Sequence, residues 1–497
     1  MSGQRLNMSG PRPNPGASLL RRLAIGAVLS VILAVGVVGV AEAHTSERAF
    51  ILLLPTGLYL TGGTLMVALS FFVMALMPVR RLRAMEDARR SLGRLPSRGD
   101  TAISLIVAVL ALALVTAGFA GSRDPLSNPL PTVVWTVWWV GLTFLHVVFG
   151  NLWAVLNPWI GPYCLLTALP GLRRWRDRPP FAYPEWAGHW PAMVLFLGFA
   201  WFELIHPAPQ DPDLLAAVVG VYLAGVFVAM VLFGGEIWLQ HGEPFTLFFR
   251  IVSYLSPFET KTESTGDRRR ALSLRIPGMG LLGIDALPLA GTAFVLLVLA
   301  SVSFDGLSRT FWYLDLIGEN PLAYPGRTVL MGINTIGLVA AFLALGAAYA
   351  ATVLLGRILA PTSGGAGERL GRFVVSIIPI AFGYHFAHYL PVLMLDGQYA
   401  WKTLSDPFAL GWDLFGGRDW YVTASFFMDH YLVAMIWKIQ VSAIVAAHVA
   451  AVAVSHFLAL RDGLSLRVTL IGQAPLTALM IGYTLFGLWL LSSPAAG

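Results

Sequence analysis

Eleven continuous apolar runs divide this chain, and the short segments between them hold most of its charge. The first, LAIGAVLSVILAVGVVGV, follows Arg21 and Arg22 and leads into AEA at 41–43, the small-x-small pattern that signal peptidase accepts. Ten more runs, near 51–78, 101–120, 131–150, 190–206, 213–233, 286–304, 328–356, 373–395, 430–456 and 470–491, are each long enough to cross a bilayer as a helix. Lipid admits only helices and closed barrels, and apolarity that is continuous rather than alternating selects helices. The predicted fold is therefore all-α: a polytopic membrane bundle of about ten transmembrane helices in one domain, 44–497, behind a cleavable signal peptide, 1–43.

Composition agrees with the pattern. Of 497 residues, 57% are apolar and 12% charged, where soluble domains carry roughly a quarter; mean hydropathy is +0.71. The surplus of six positive charges calls for no nucleic acid, because in a bilayer protein it marks sidedness. If the signal is cleaved outside, the inner segments 79–100, 157–189, 234–285, 357–372 and 457–469 hold 22 Lys and Arg. The outer ones hold only Arg48, Arg123, Arg309, Arg327, Lys402 and Arg418. That bias predicts a multi-pass protein of a bacterial inner membrane with its mature N-terminus outside. Loop 244–280 then lies in the cytoplasm, where its polar stretch SPFETKTESTGDRRRALSLRIPGMG reads as a partly flexible loop without chemistry. Loops 305–327 and 396–428 lie outside. Both are rich in aromatics, Gly and Pro, which suits either lids or interfacial belts.

Against this background the polar residues stand out. Cys164 is the single cysteine, so a metal site would need His, Asp and Glu ligands. His385 and His388 lie three residues apart on one helix face in FGYHFAHYL, where imidazoles are costly unless they hold something. Glu203 and His206 close the fourth run in WFELIH, a Glu-x-x-His spacing of the kind that serves dinuclear centres. Asp305 closes the sixth run, and Asp429 with His430 opens the ninth, at the same predicted level. Cleavage after AEA would expose His44 as an N-terminal residue whose amine and imidazole form a copper brace; a histidine that merely follows the cut is the plainer alternative. His388, His385, Asp305 and Glu203 are the candidate catalytic residues. His388, His385, His206, Glu203, His430 and His44 are the candidate ligands for a divalent metal, with zinc, iron, manganese and copper all compatible. A thinner inner group comprises His146, His448, His456, Glu236, His241 and Glu243, with Lys438 about 12 Å inward from His430.

The strings GNLWAVLNPW, SFDGLSRTFWY, AHYLPVLMLDGQ, SDPFALGWDLFGG and IWKIQVSAIVAAHVAAVAVSH, in this order behind a processed AH terminus, resemble the bacterial polytopic fenitrothion hydrolase family over nearly the whole mature chain. The resemblance implies hydrolysis of a lipophilic organophosphorus triester inside the bilayer, with a related membrane subunit as a partner; it assigns no catalytic residues. A metal ion would activate water and polarise the phosphoryl group of such an uncharged substrate. The chain has no Gly-x-Ser-x-Gly elbow and no phosphate-binding Gly-rich loop. Two other classes fit the same residues: a metal-ion or proton-coupled transporter, and a non-catalytic subunit of a membrane complex.

Overall fold

The computed structural model describes residues 56–494 apart from 78, 97–99, 263–268, 324 and 362–363. The signal peptide and His44 lie outside the described residues. Among these, nine helices are long and apolar enough to cross a membrane. With two shorter ones they run in chain order as α1 (Thr56–Leu76), α2 (Asp100–Ala120), α3 (Pro129–Phe149), α4 (Trp190–Leu204), α5 (Pro212–Phe233), α6 (Pro244–Ser253), α7 (Leu289–Ser308), α8 (Arg327–Leu359), α9 (Ala366–Ser405), α10 (His430–Leu460) and α11 (Leu466–Ser492). The protein is an all-α polytopic bundle. The expected fourth span forms a helix of only 15 residues, α4.

α7 and α9 form the centre, each with 78% of its apolar window buried against other helices, whereas α1, α2 and α8 have 11–22% of theirs buried. α9 packs on α3, α7 and α10; α7 also meets α4 and α8; α1 and α11 close the bundle beside α10. Small residues permit the closest of these approaches. A Cβ on Gly383 would lie 2.4 Å from that of Ala447, so α9 and α10 touch almost backbone to backbone just before His385.

α9 contains Pro391, which has no N–H to offer the carbonyl of Ala387 four residues earlier. Gln440 on α10 supplies the missing donor, its Nε2 lying 2.6 Å from that oxygen. An unmet carbonyl has no water to turn to in hydrocarbon, so Gln440 keeps the helix ordered around His388. Gln440→Leu is expected to lower stability by about 1–2 kcal/mol, read as a drop in the thermal unfolding midpoint of the protein in lipid nanodiscs. An unchanged midpoint would mean that the carbonyl finds another donor.

Two polar regions differ from the sequence reading. Residues 244–253 are not loop: they form α6, whose PFTLFFRIVS buries Phe245, Leu247, Phe248, Phe249, Ile251 and Val252 in the core. In the polar stretch beyond it, the described residues 258–262 and 269–275 are strand rather than loop. β2 (Phe258–Thr262) and β3 (Arg269–Arg275) pair antiparallel, and β1 (Arg89–Pro96) adds to the other side of β3. Arg275 explains the order. Its buried guanidinium meets Glu259 at 3.2 Å and donates to the carbonyls of Ser253, Tyr254 and Ser256, closing the C-terminal end of α6. Residues 396–405, expected in a loop, continue α9 instead. The segment after them is tied back to α9 by two hydrogen bonds between Gln398 and the Thr423 backbone.

Candidate functional site

α4, α7 and α9 bring their polar residues together at one end of the bundle. Asp305, near the end of α7, is 3% exposed. Its Oδ2 lies 2.5 Å from Nε2 of His388 on α9. Its Oδ1 accepts from Arg309 one turn later, at 3.0 Å from Nε and 2.8 Å from the terminal nitrogen. Both carboxylate oxygens are therefore engaged. Beside this couple, the Tyr389 hydroxyl donates to Glu203 Oε1 at 2.7 Å. Arg327, the first residue of α8, donates to the carbonyls of Glu203 and His206 at 2.7 and 3.2 Å. The Glu203 carbonyl is one of the orphan acceptors of the α4 terminus. Glu203 feels the charges of Asp305 and Arg309, and Arg327 those of all three, so the six groups act as one cluster.

His385 turns away from His388. Its buried ring stands edge-on to Trp139, with centroids 4.9 Å apart, and 4.7 Å from the ring of Tyr389, while its Nε2 has no hydrogen-bond partner. Glu203, His385 and Tyr389 line one narrow cavity whose other walls are mainly apolar, among them Trp139, Phe196 and Phe199. Trp139 reaches this cavity from a π-helical stretch of α3, Val133–Gly141. Such wide turns often occur at functional sites because they re-aim side chains.

Two candidates stand apart. α4 ends at Leu204, with Ile205 as its cap, so the i, i+3 rule no longer governs position 206. His206 instead packs its ring against Trp201 and Phe202, and its Nδ1 accepts from the Ala208 N–H at 3.1 Å. His430 is exposed beside Tyr431 at the first turn of α10, whose N-cap is Asp429. The predicted set thus divides into a cluster of Glu203, Asp305, His385 and His388 and two outliers. Among the described residues, no group of three or more His, Cys, Asp or Glu side chains is placed to hold a metal ion. Both oxygens of Asp305 and Oε1 of Glu203 are engaged in hydrogen bonds within the protein.

The sequence reading missed Arg309, Arg327, Tyr389 and Trp139 as members of the site. Spacing carried a signal for two of them: Asp305 and Arg309, like His385 and Tyr389, are i, i+4 pairs on one helix. The inner group is dispersed. His146 has both ring nitrogens engaged, with the Leu142 carbonyl and the Trp153 N–H, and is a packing residue. His189 and His241 stack 5.1 Å apart. His456 pairs with Gln473, and Lys438 is exposed on α10. No family model, curated protein or solved structure matches the chain.

Proposed function

We propose that the protein is a membrane-integrated hydrolase of an uncharged, lipophilic ester, the organophosphorus triester class implied by the resemblance above. The Asp305–His388 couple is the observation that carries this reading. A carboxylate accepting from Nε2–H leaves the lone pair on Nδ1, where the imidazole can take a proton from water as that water attacks phosphorus. The Arg309 contact holds Asp305 in place for this. Tyr389, hydrogen-bonded to Glu203 and with its ring 4.7 Å from that of His388, can give its own O–H proton to the departing aryl oxide, and the tyrosinate then recovers the water proton held by His388. A triester carries no charge, so no guanidinium needs to clamp it, and both arginines are occupied with protein groups. By the positive-inside bias the cluster faces the extracytoplasmic side.

The test is release of aryl oxide from a dialkyl aryl phosphotriester by the purified chain in nanodiscs, followed by absorbance. Turnover should exceed that of empty nanodiscs, and Tyr389→Phe should reduce kcat by roughly a hundredfold. A second reading, proton-coupled transport, draws on His448 Nε2, Ser455 Oγ and Gln473 Nε2, buried atoms of α10 and α11 with no hydrogen-bond partner. Proton flux into liposomes without ester turnover would favour it over hydrolysis.

A further inference from the structure

A second, larger groove opens between α2, α3, α4 and α5 and shares a wall with the cavity of the candidate site. Phe199 on α4 lines both. The π-helical stretch of α3 places Trp135 and Trp138 in the groove and Trp139 in the cavity, so one element serves the two spaces. Trp139 meets Phe199 edge-on with centroids 4.8 Å apart, and together they form the partition.

The groove has little polar chemistry to offer. The indole N–H of Trp135 donates to the Pro209 carbonyl at 3.1 Å, and that of Trp159 to the Leu223 carbonyl at 2.9 Å. The Tyr222 hydroxyl is bound by Glu243. These three rings present only their apolar parts, whereas the buried indole N–H of Trp153, also on the groove, has no hydrogen-bond partner. Flat, uncharged aromatic walls with the Trp153 donor left free suit an aryl-bearing neutral molecule that carries an acceptor better than a charged headgroup or an ion.

We propose that this groove is a binding site for an uncharged, aryl-bearing lipophile that arrives from within the bilayer, and that Phe199 with Trp139 gates its passage to Glu203, His385 and Tyr389. The site rests on the hydrolase reading only for the fate of its occupant. Lateral access fits the chemistry: such molecules concentrate in hydrocarbon, and a route through lipid spares them transfer into water.

Gly198 provides the test. It lies on the groove, and a Cβ built there meets nothing within 4 Å, so a side chain can start from this position without a clash at its first atom. Wild type, Gly198→Trp and, from the opposite wall, Leu110→Trp would be placed in nanodiscs. Each would be labelled with a dialkyl aryl phosphotriester bearing a diazirine on its aryl ring, and separately with a phospholipid bearing a diazirine on its acyl chain. The triester should label α3 and α4 around 135–138 and 199–202 saturably, and either plug should reduce that labelling at least about tenfold. Preferential, saturable labelling by the phospholipid would make the groove a lipid site and overturn the proposal. So would triester labelling that neither plug reduces, or no labelling at all. Saturable, plug-sensitive labelling in a protein that releases no aryl oxide would end the hydrolase reading and leave the groove standing.

Discussion

Asp305→Asn should silence hydrolysis, with kcat falling by roughly 10⁴-fold, the scale seen when an amide replaces the carboxylate that orients a catalytic imidazole. Asparagine matches the shape of the site. It can, however, turn its amide N–H toward His388 Nε2, which then accepts, and the proton moves to Nδ1, where water should lose its own. Asp305→Leu tests the structural share of the same contact. It removes the partner of both His388 and Arg309 in a residue that is 3% exposed, whereas the Arg309 side chain is half exposed and can turn to water. That relief limits the loss to about 2 kcal/mol, below the 3–5 kcal/mol expected for a fully enclosed pair. Initial rates and unfolding midpoints of wild type and the two variants separate the effects. Wild-type kcat in Asp305→Asn would remove the couple from the mechanism.

Glu243→Ala is expected to be the most destabilising single change far from the cluster, at about 3 kcal/mol. Glu243 is fully buried. It accepts from the backbone N–H of Phe245 and Thr246 at 3.0 and 2.5 Å, and from the hydroxyls of Thr246 and Tyr222. It is thus the N-cap of α6 and the link between α6 and α5. Alanine leaves two helix-start donors and a tyrosine hydroxyl inside the core without an acceptor, whereas Glu243→Gln keeps one oxygen and should lose roughly 1 kcal/mol. Thermal unfolding in nanodiscs measures both. Equal midpoints for alanine and wild type would show that water reaches this cap.

Much of the fold was legible because lipid imposes one local rule: a run apolar throughout must be helical. The same rule is silent about which helices meet. Spacing along α9 put His385 and His388 on one face, yet one ring faces Asp305 and the other Trp139, because α3 and α7 approach that face from different sides. The convergence of Glu203, Asp305 and His388 could be read from depth alone, since Glu203 and Asp305 lie near helix ends and His388 falls in the outer half of its predicted span. His206 could not be placed that way, because it lies two residues past the end of its helix, where a helical offset no longer holds. Arg309 carried its i, i+4 spacing to Asp305 as a signal, whereas Arg327 was legible only as a sign of sidedness; its tertiary role depends on how α4 and α8 meet. The α6 segment was hidden by its shortness, and β1 by the roughly 180 residues that separate it from its partner.

That separation also sets a timetable. At five to twenty residues per second, β3 leaves the ribosome on the order of ten to forty seconds after β1. Through this interval β1 has no described neighbour to pair with, and any other nascent strand is a competitor. Its sequence, RRSLGRLP, is suited to waiting: arginines deter association with other cationic edges, Gly93 bends the strand at a bulge, and proline withholds a donor at its end. Release comes with Glu259, which meets Arg89 and Arg275 once the hairpin exists. The sheet thus completes late, joining the segment between α1 and α2 to the chain that follows α6.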